Sequence, residues 1–421
     1  MNRRVSFALI ISVMLCLGLS SCSGDEILGE IPGDFVAVSS ETVSLQESLH
    51  EESRQSAETD AEDEPIASEE KDFLCETSCE YARKSLSGTE QLWYDDMKQI
   101  LGSFGEKVRL SEAGLNEGYD EAEIDRIFQY VLNDHPELFY VEGYSYTKYT
   151  KGDKTTALEF TGTYSVDRET AAERSEAIEA AVEEILSGLD ENADQYTKVK
   201  YVYERIIRDT EYDLSAPDNQ NIYSVFVNHR SVCQGYAKAV QYLLNRLGLE
   251  CTLVLGTVDT GEGHAWNLVK IDGNYYYLDA TWGDASYRPE EVDAGSVISM
   301  PEINYDYLNV TTAELLRTHR LGRDCIPMPA CVSQEANYYY REGALFAEYD
   351  REQMRILFDR AREQGRNDVT VKCKDEEVYR QVMTALIDNQ EIFNYLYNAG
   401  GTVAYTQNEN QLSLTFWVTN E

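Results

Sequence analysis

The chain has 421 residues, of which 76 are acidic and 36 are basic, so its formal net charge at neutral pH is −40. Such a charge repels nucleic-acid phosphates, and no nucleic-acid partner is expected. A chain of this length exceeds one compact core, and two or three domains are expected after an N-terminal extension.

The N-terminus has the pattern of an export signal. Arg3 and Arg4 precede a mostly apolar segment, Val5–Leu19, which is short for a membrane-spanning helix, and Cys22 follows closely. The pattern predicts a lipoprotein signal peptide at residues 1–21, with cleavage before Cys22 and lipid on its thiol. An ordinary secretory signal and an uncut anchor are the alternatives. We therefore expect an extracytoplasmic protein that a lipid anchor attaches to the cell membrane.

Residues 22–72 are predicted to form an acidic, disordered tether. Pro, Ser, Asp and Glu dominate this segment, and aromatic residues are nearly absent. Such a composition buries too little apolar surface to fold. The tether is expected to hold the folded part away from the membrane, and a binding tail is the alternative.

The pattern of residues 73–165 predicts an N-terminal α/β domain. Two amphipathic helices are expected at 89–101 and 119–132, followed by strands at 138–141, 145–149 and 157–164.

A helix is predicted from Cys233 to Leu247, because apolar residues recur there at helical spacing and Gly248 ends the pattern. Ser231 is the expected N-cap, which puts Cys233 in the first turn. The free N–H groups and the positive dipole end of that turn favour a thiolate. The Cys233 amide is also a candidate donor to an oxyanion.

A β-hairpin is predicted next, with strands at 264–271 and 274–279. The residues between them, Asp272 and Gly273, form a preferred type I′ turn because both central positions need a positive φ. The turn fixes the register of the two strands.

That register puts His264, Trp266 and Asp279 on one face of the hairpin, because side chains alternate along a strand. His264 is expected opposite Thr281 and one diagonal step from Asp279. Diagonal neighbours lie roughly 7–8 Å apart at the backbone, which allows an imidazole–carboxylate hydrogen bond.

These three motifs resemble the transglutaminase-like superfamily. The matching segments are Val-Cys-Gln-Gly-Tyr-Ala around Cys233, His-Ala-Trp-Asn around His264 and Tyr-Leu-Asp-Ala-Thr-Trp-Gly-Asp around Asp279, within about residues 190–285. The resemblance implies an α+β fold with a transglutaminase-like, papain-like Cys-His-Asp core and small flanking α/β domains. It further implies Cys233 as nucleophile, His264 as base and Asp279 as the acid that orients the base.

Trp266 and Trp282 are interpreted as packing residues that form a possible wall of the site. Zinc coordination by Cys233, Cys251 and His264 is an alternative, but the sequence has no close ligand pair such as Cys-x-x-Cys or His-Glu-x-x-His. No metal and no cofactor are therefore expected.

The remaining sequence is divided into a transglutaminase-like domain at 166–325 and a C-terminal α/β domain at 330–421. A helix around 312–319 is expected in the first, and a Tyr-rich strand at 338–340 and a helix at 351–364 in the second. No chemistry is assigned to the C-terminal domain.

The combined prediction is an exported, lipid-anchored cysteine enzyme. It would form a thioester at Cys233 and pass the acyl group to water, as a peptidase or amidase, or to an amine. Its expected partners are a peptide or protein substrate, which includes cell-wall peptide, and the membrane. One alternative is a non-catalytic cell-surface module that binds peptide or wall and reuses the fold. Another is a wall-associated protein whose flanking domains bind peptide.

Overall fold

The computed structural model describes residues 3–9, 78–151, 154–284, 302–323, 326–396 and 403–417. The chain forms two compact units. The first contains Arg3–Leu9, Ser87–Phe128 and Tyr140–Ala172, and the second contains the described parts of Cys75–Leu86, Gln129–Phe139 and Glu173–Glu421.

The helices and strands of both units are numbered in chain order. The helices are α1 (Tyr81–Lys84), α2 (Gly88–Gly102), α3 (Glu112–Glu117), α4 (Glu121–Asp134), α5 (Arg168–Ser187), α6 (Gln195–Asp209), α7 (Ile222–Phe226), α8 (Cys233–Arg246), α9 (Ala280–Gly283), α10 (Thr312–Leu315), α11 (Tyr338–Arg341), α12 (Arg351–Glu363) and α13 (Glu376–Met383). The strands are β1 (Arg3–Leu9), β2 (Val108–Arg109), β3 (Val141–Lys151), β4 (Lys154–Tyr164), β5 (Glu211–Tyr212), β6 (Arg230–Ser231), β7 (Cys251–Val258), β8 (Gly263–Ile271), β9 (Asn274–Leu278), β10 (His319–Leu321), β11 (Leu345–Phe346), β12 (Asp368–Cys373), β13 (Ala404–Asn408) and β14 (Ser413–Trp417). The prediction of an α+β protein is confirmed.

Most of the predicted N-terminal extension lies outside the described residues, which include neither Cys22 nor the tether at 22–72. Within the predicted signal peptide, the described residues are those of β1. Across the parts of the chain that the structure describes, no helix has both the length and the apolar character needed to cross a bilayer.

The first unit is built on an antiparallel sheet in the order β1-β3-β4-β2. Tyr144 of β3 and Phe160 of β4 are buried and stack with ring centroids 5.2 Å apart, and Phe128 of α4 packs against both. Helix α2 begins with a capping box formed by Ser87 and Glu90. The aromatic face of the β3–β4 hairpin forms the core of this unit.

The second unit contains the sheet that bears His264 and leads to Asp279, in the antiparallel order β10-β7-β8-β9. On one face, Ala237 of α8 packs against Leu253 and Ala265, and Cys233 lies against the same cluster. The small side chains of Ala237 and Ala265 let α8 approach the sheet closely, so that the start of the helix comes near the start of β8.

The β8–β9 hairpin has the predicted register. Its turn residues Asp272 and Gly273 have φ values of 48° and 86°, as a type I′ turn requires. Ile271 pairs with Asn274, and the ladder continues in step from there. The local turn sequence therefore sets the register.

The pairing ends earlier than predicted, at Asn267 and Leu278. Asp279 leaves the strand and becomes the N-cap of α9, with its side chain accepting a backbone N–H of that helix. The expected pairing of His264 with Thr281 is therefore wrong, because Thr281 lies inside the helix.

Residues after the central sheet form a further sheet in the order β11-β12-β14-β13, with α12 and α13 nearby in sequence. The predicted strand at 338–340 is wrong, because these tyrosines form α11. Asn337 caps this helix by accepting two backbone N–H groups, and the Tyr338 ring stacks 3.8 Å from that of Tyr305. The predicted helix at 312–319 extends only through α10, and β10 begins at His319.

Candidate active site

Cys233 is the first residue of α8, and its thiol is free and partly exposed. In a first helical turn the backbone N–H groups have no partner within the helix, and the dipole favours an anion. The position predicted for Cys233 is confirmed. It can stabilise a thiolate and, after attack on a carbonyl, an oxyanion.

Ser231 is not the N-cap of α8, which corrects the sequence analysis. Val232 takes that position without a side-chain cap. The Ser231 hydroxyl is buried, lies 2.7 Å from the Ser224 hydroxyl and donates to the Asn219 carbonyl at 2.7 Å. A Cβ added to Gly235 would lie only 1.9 Å from Ser231 Oγ. The missing side chain of Gly235 thus allows the helix to start here.

His264 lies between the thiol and the carboxylate. Its Nε2 donates to Asp279 Oδ2 at 2.7 Å, and the Cys233 thiol is close enough to raise the pKa of the ring. Since Nε2 bonds to the carboxylate, Nδ1 is the nitrogen left for the thiol. Burial lowers the pKa of His264, but the charge and hydrogen bond of Asp279, and then Cys233, raise this pKa well above its usual value. The site favours an imidazolium beside the thiol.

Asp279 is bound through both carboxylate oxygens. Oδ2 accepts from His264, and Oδ1 accepts from the Trp282 backbone N–H at 3.1 Å. Burial raises the pKa of Asp279, but His264 and then His319 outweigh it and hold this pKa well below its usual range. The carboxylate therefore stays ionised while only 1% of the residue is exposed.

A second imidazole, that of His319, binds the same carboxylate oxygen. Its Nε2 lies 3.1 Å from Asp279 Oδ2, and its Nδ1 lies 2.9 Å from the Thr318 hydroxyl. The ring is fully buried at the start of β10, where the strand pairing puts it opposite Val258 of β7. The sequence patterns did not identify this residue as part of the site and predicted it at the end of a helix. The sequence signal that could have identified His319 is the rarity of histidine, since the chain has only five.

Aromatic side chains surround the two imidazoles. The His319 ring centroid lies 4.6 Å from Trp282, 4.9 Å from Trp266 and 5.5 Å from Tyr307. A Cβ on Gly256 would lie 2.6 Å from the Trp266 indole, so the glycine leaves room for that ring. Trp266 is 0% exposed and Trp282 6% exposed. Both tryptophans shield the imidazole–carboxylate cluster from water, and neither offers a large open face.

The cluster of His264, Asp279 and His319 has the composition of a metal site. Its ligand atoms all lie within 4.8 Å of one another, and two imidazoles with one carboxylate suit zinc or iron. However, the two Nε2 atoms lie 2.7 and 3.1 Å from a single carboxylate oxygen. These are ordinary hydrogen-bond lengths, so direct N–H donation accounts for the geometry.

The structure does not bring together the three residues considered as alternative zinc ligands, Cys233, Cys251 and His264. Cys251 begins β7 opposite Val269, whereas His264 lies opposite Gly256, five positions further along β7. Five strand residues span about 16 Å. Cys251 is thus too far along the strand to share a metal with His264 and Cys233.

The other described thiols are held protonated by burial. Burial raises the pKa of Cys79 and of Cys331 to about 11 and that of Cys373 to about 12. Burial also raises the pKa of Cys251 well above its ordinary value. These four thiols stay protonated and poorly nucleophilic near neutral pH.

Parts of the chain are similar to known proteins. Residues 180–280 match the family model of the transglutaminase-like superfamily. The kyphoscoliosis peptidases of Mus musculus and Homo sapiens are 24% and 25% identical to this chain over 123 and 121 residues, which cover 25% of this chain. The match spans 19% and 18% of those peptidases, about a fifth of their length.

Two solved structures are also similar to parts of the chain. A TGase is 15% identical with a TM-score of 0.25, over 38% of this chain and 47% of that chain. The periplasmic domain of TgpA from Pseudomonas aeruginosa is 16% identical with a TM-score of 0.22, over 34% of this chain and 58% of that chain.

Proposed function

We propose, from the match of residues 180–280 to the family model of the transglutaminase-like superfamily, that this protein is a cysteine enzyme that cleaves or transfers peptide or amide bonds through a thioester. One observation carries the proposal. A partly exposed thiol at a helix N-terminus lies near a buried imidazole whose Nε2 donates to an ionised carboxylate. Nucleophile, base and orienting acid are thus brought together.

The reaction has two half-steps. The Cys233 thiolate attacks the substrate carbonyl carbon, and the oxyanion that forms is stabilised at the N-terminus of α8. The His264 imidazolium then gives its proton to the leaving amine as the carbon–nitrogen bond breaks, which leaves a thioester. Next, neutral His264 takes a proton from water or an amine as it attacks the thioester, and the thiolate leaves. Asp279 stays ionised throughout and orients the ring.

Hydrolysis is the favoured outcome, as a cysteine peptidase or amidase. Transfer to an amine requires a site that binds the amine and keeps water from the thioester. Trp266 and Trp282 are nearly buried and pack against the imidazoles. They therefore shield the base rather than line a channel for an amine acceptor.

The substrate is proposed to be a peptide or protein outside the cytoplasm, which includes cell-wall peptide. The proposed lipid at Cys22 and the tether at 22–72 would hold the enzyme at the membrane. Cleavage before Cys22 would also remove β1, which pairs with β3. Replacing Cys22→Ala should abolish incorporation of labelled lipid, and unchanged incorporation would contradict the anchor.

The activity is tested with a library of amide- and glutamine-bearing peptides, with and without a labelled primary amine. Wild-type protein should release free acid, and Cys233→Ala should not. Amine incorporation that depends on Cys233 would instead identify the reaction as acyl transfer to an amine. No turnover in either condition would overturn the enzyme assignment in favour of the non-catalytic binding module.

A further inference from the structure

We infer that His319 is a positioning residue for this reaction, which fixes the Asp279 carboxylate in the orientation that aligns His264. The inference rests on the proposed function. His319 is one residue further from the chemistry than the predicted triad, since it contacts Asp279 and acts through it.

Three donors from three different elements hold the carboxylate. The Trp282 N–H of α9 binds Oδ1 at 3.1 Å, and the Nε2 atoms of His264 in β8 and His319 in β10 bind Oδ2 at 2.7 and 3.1 Å. The contact from β10 adds a third restraint, from a different strand, on the oxygen that binds His264.

The neighbour of His319 sets the required tautomer. Donation to Asp279 requires the proton on Nε2. The Thr318 hydroxyl lies 2.9 Å from His319 Nδ1. The other acceptor within reach of this hydroxyl is the Leu315 carbonyl, which is farther away at 3.5 Å. Tyr307 can in turn donate to the Thr318 oxygen at 3.3 Å. When Thr318 donates to Nδ1, Nε2 is the nitrogen that carries the proton and donates to the carboxylate.

Packing alone does not explain a histidine at this position. The ring lies among Trp266, Trp282 and Tyr307, where an apolar ring would fill the same space. A buried polar ring is costly unless both nitrogens are bonded, and here both are. A histidine at position 319 is therefore explained by the need for its Nε2–H donor to Asp279.

The test compares two substitutions in the full chain. His319→Gln keeps an N–H donor near the place of Nε2, whereas His319→Leu removes it. The measured quantity is the rate at which iodoacetamide alkylates Cys233 near neutral pH, read by peptide mass mapping, together with the thermal unfolding midpoint. We expect His319→Leu to slow alkylation by about 10- to 100-fold, the range seen when an outer partner of an ordered histidine is removed at metal sites. His319→Gln should restore most of the rate.

Thr318→Val provides a second variant that keeps side-chain size and removes the hydroxyl. It should slow alkylation in the same direction as His319→Leu, and it serves as the test if the leucine variant does not fold. Equal slowing by the Gln and Leu variants would show a packing role and overturn the inference. Unchanged alkylation in folded His319→Leu or Thr318→Val would also overturn it.

The wild-type rate separates this inference from the proposed function. If wild-type Cys233 is alkylated no faster than Cys79 or Cys331, the proposed function itself fails. If wild-type Cys233 is fast and the variants match it, only the positioning role of His319 fails.

Discussion

The Asp279 carboxylate accepts hydrogen bonds on both oxygens and is almost completely buried. Its lowered pKa means that it keeps its charge during the reaction and serves as an acceptor. A substitution that preserves shape but removes the charge should therefore affect turnover far more than it affects folding.

Asp279→Asn is expected to lower turnover by about 10⁴, the loss found when a triad acid is replaced by its amide. The amide cannot hold the His264 ring in the tautomer that leaves Nδ1 free for Cys233. Turnover of the best library peptide and the circular dichroism spectrum are the measurements. An unchanged rate in a folded variant would mean that another group orients the ring.

The raised pKa of His264 predicts a pH dependence of stability. The pKa rises from 6.5 to about 10 in the folded protein, so between these values only the folded protein keeps the proton. The resulting stability is fully present below about pH 6.5 and is lost as the pH rises through about 10. The lowered pKa of Asp279 acts on the acid side, where its contribution is lost as the pH falls through the folded value.

Urea unfolding of wild type and His264→Gln between pH 6 and pH 10 measures this effect. The stability difference between the two proteins should shrink as the pH rises, because the variant lacks the titrating ring. A difference that stays constant across the range would contradict the raised pKa.

Among the secondary-structure elements, the start of α8 depends on a close approach between backbone and side chain. Ser231 Oγ occupies the space that a Cβ at Gly235 would need, at 1.9 Å. Gly235→Ala should destabilise the protein by about 1–3 kcal/mol, as overpacking of a well-filled site does. It should also slow alkylation of Cys233, two residues earlier in the same turn.

The matched control is the double variant Ser231→Ala/Gly235→Ala, which removes the clashing oxygen. It should recover part of the stability, although the hydrogen bonds of Ser231 are lost. If Gly235→Ala unfolds at the same urea concentration as wild type, the close contact does not constrain the helix start.

Across the whole second unit, a buried ion pair connects β12 with the segment next to the active site. Lys372 is 1% exposed, and its Nζ lies 3.8 Å from Asp306 Oδ1, an ion-pair distance without a direct hydrogen bond. Asp306 Oδ2 accepts from Asn408 and Ser413 at 2.9 and 2.7 Å. Asp306 directly precedes Tyr307, which packs against Trp282.

Lys372→Met should lower the free energy of unfolding by about 3 kcal/mol, because it leaves the Asp306 charge buried without its cation. Arg355→Met is the control, since the Arg355–Glu352 pair is largely exposed, and it should have little effect. Urea unfolding of both variants is the measurement. If Lys372→Met unfolds at the same urea concentration as wild type, the buried ion pair does not contribute to stability.

The sequence by itself determined the local parts of the site. The helix that begins at Cys233 follows from apolar periodicity, and the register of β8 and β9 follows from Asp272-Gly273. Both depend on contacts between residues near each other in the chain. These patterns bring His264 and Asp279 to the same end of the hairpin, although Asp279 lies just past the end of β9.

Only the tertiary structure decided the rest. The Ser231 hydroxyl bonds across to Asn219, so it does not cap α8. His319 reaches Asp279 across 40 residues of chain, through the pairing of β10 with β7. The sequence pattern around each residue carries no trace of these contacts, because hydrogen-bond partners distant in the chain are chosen by the packing of whole elements.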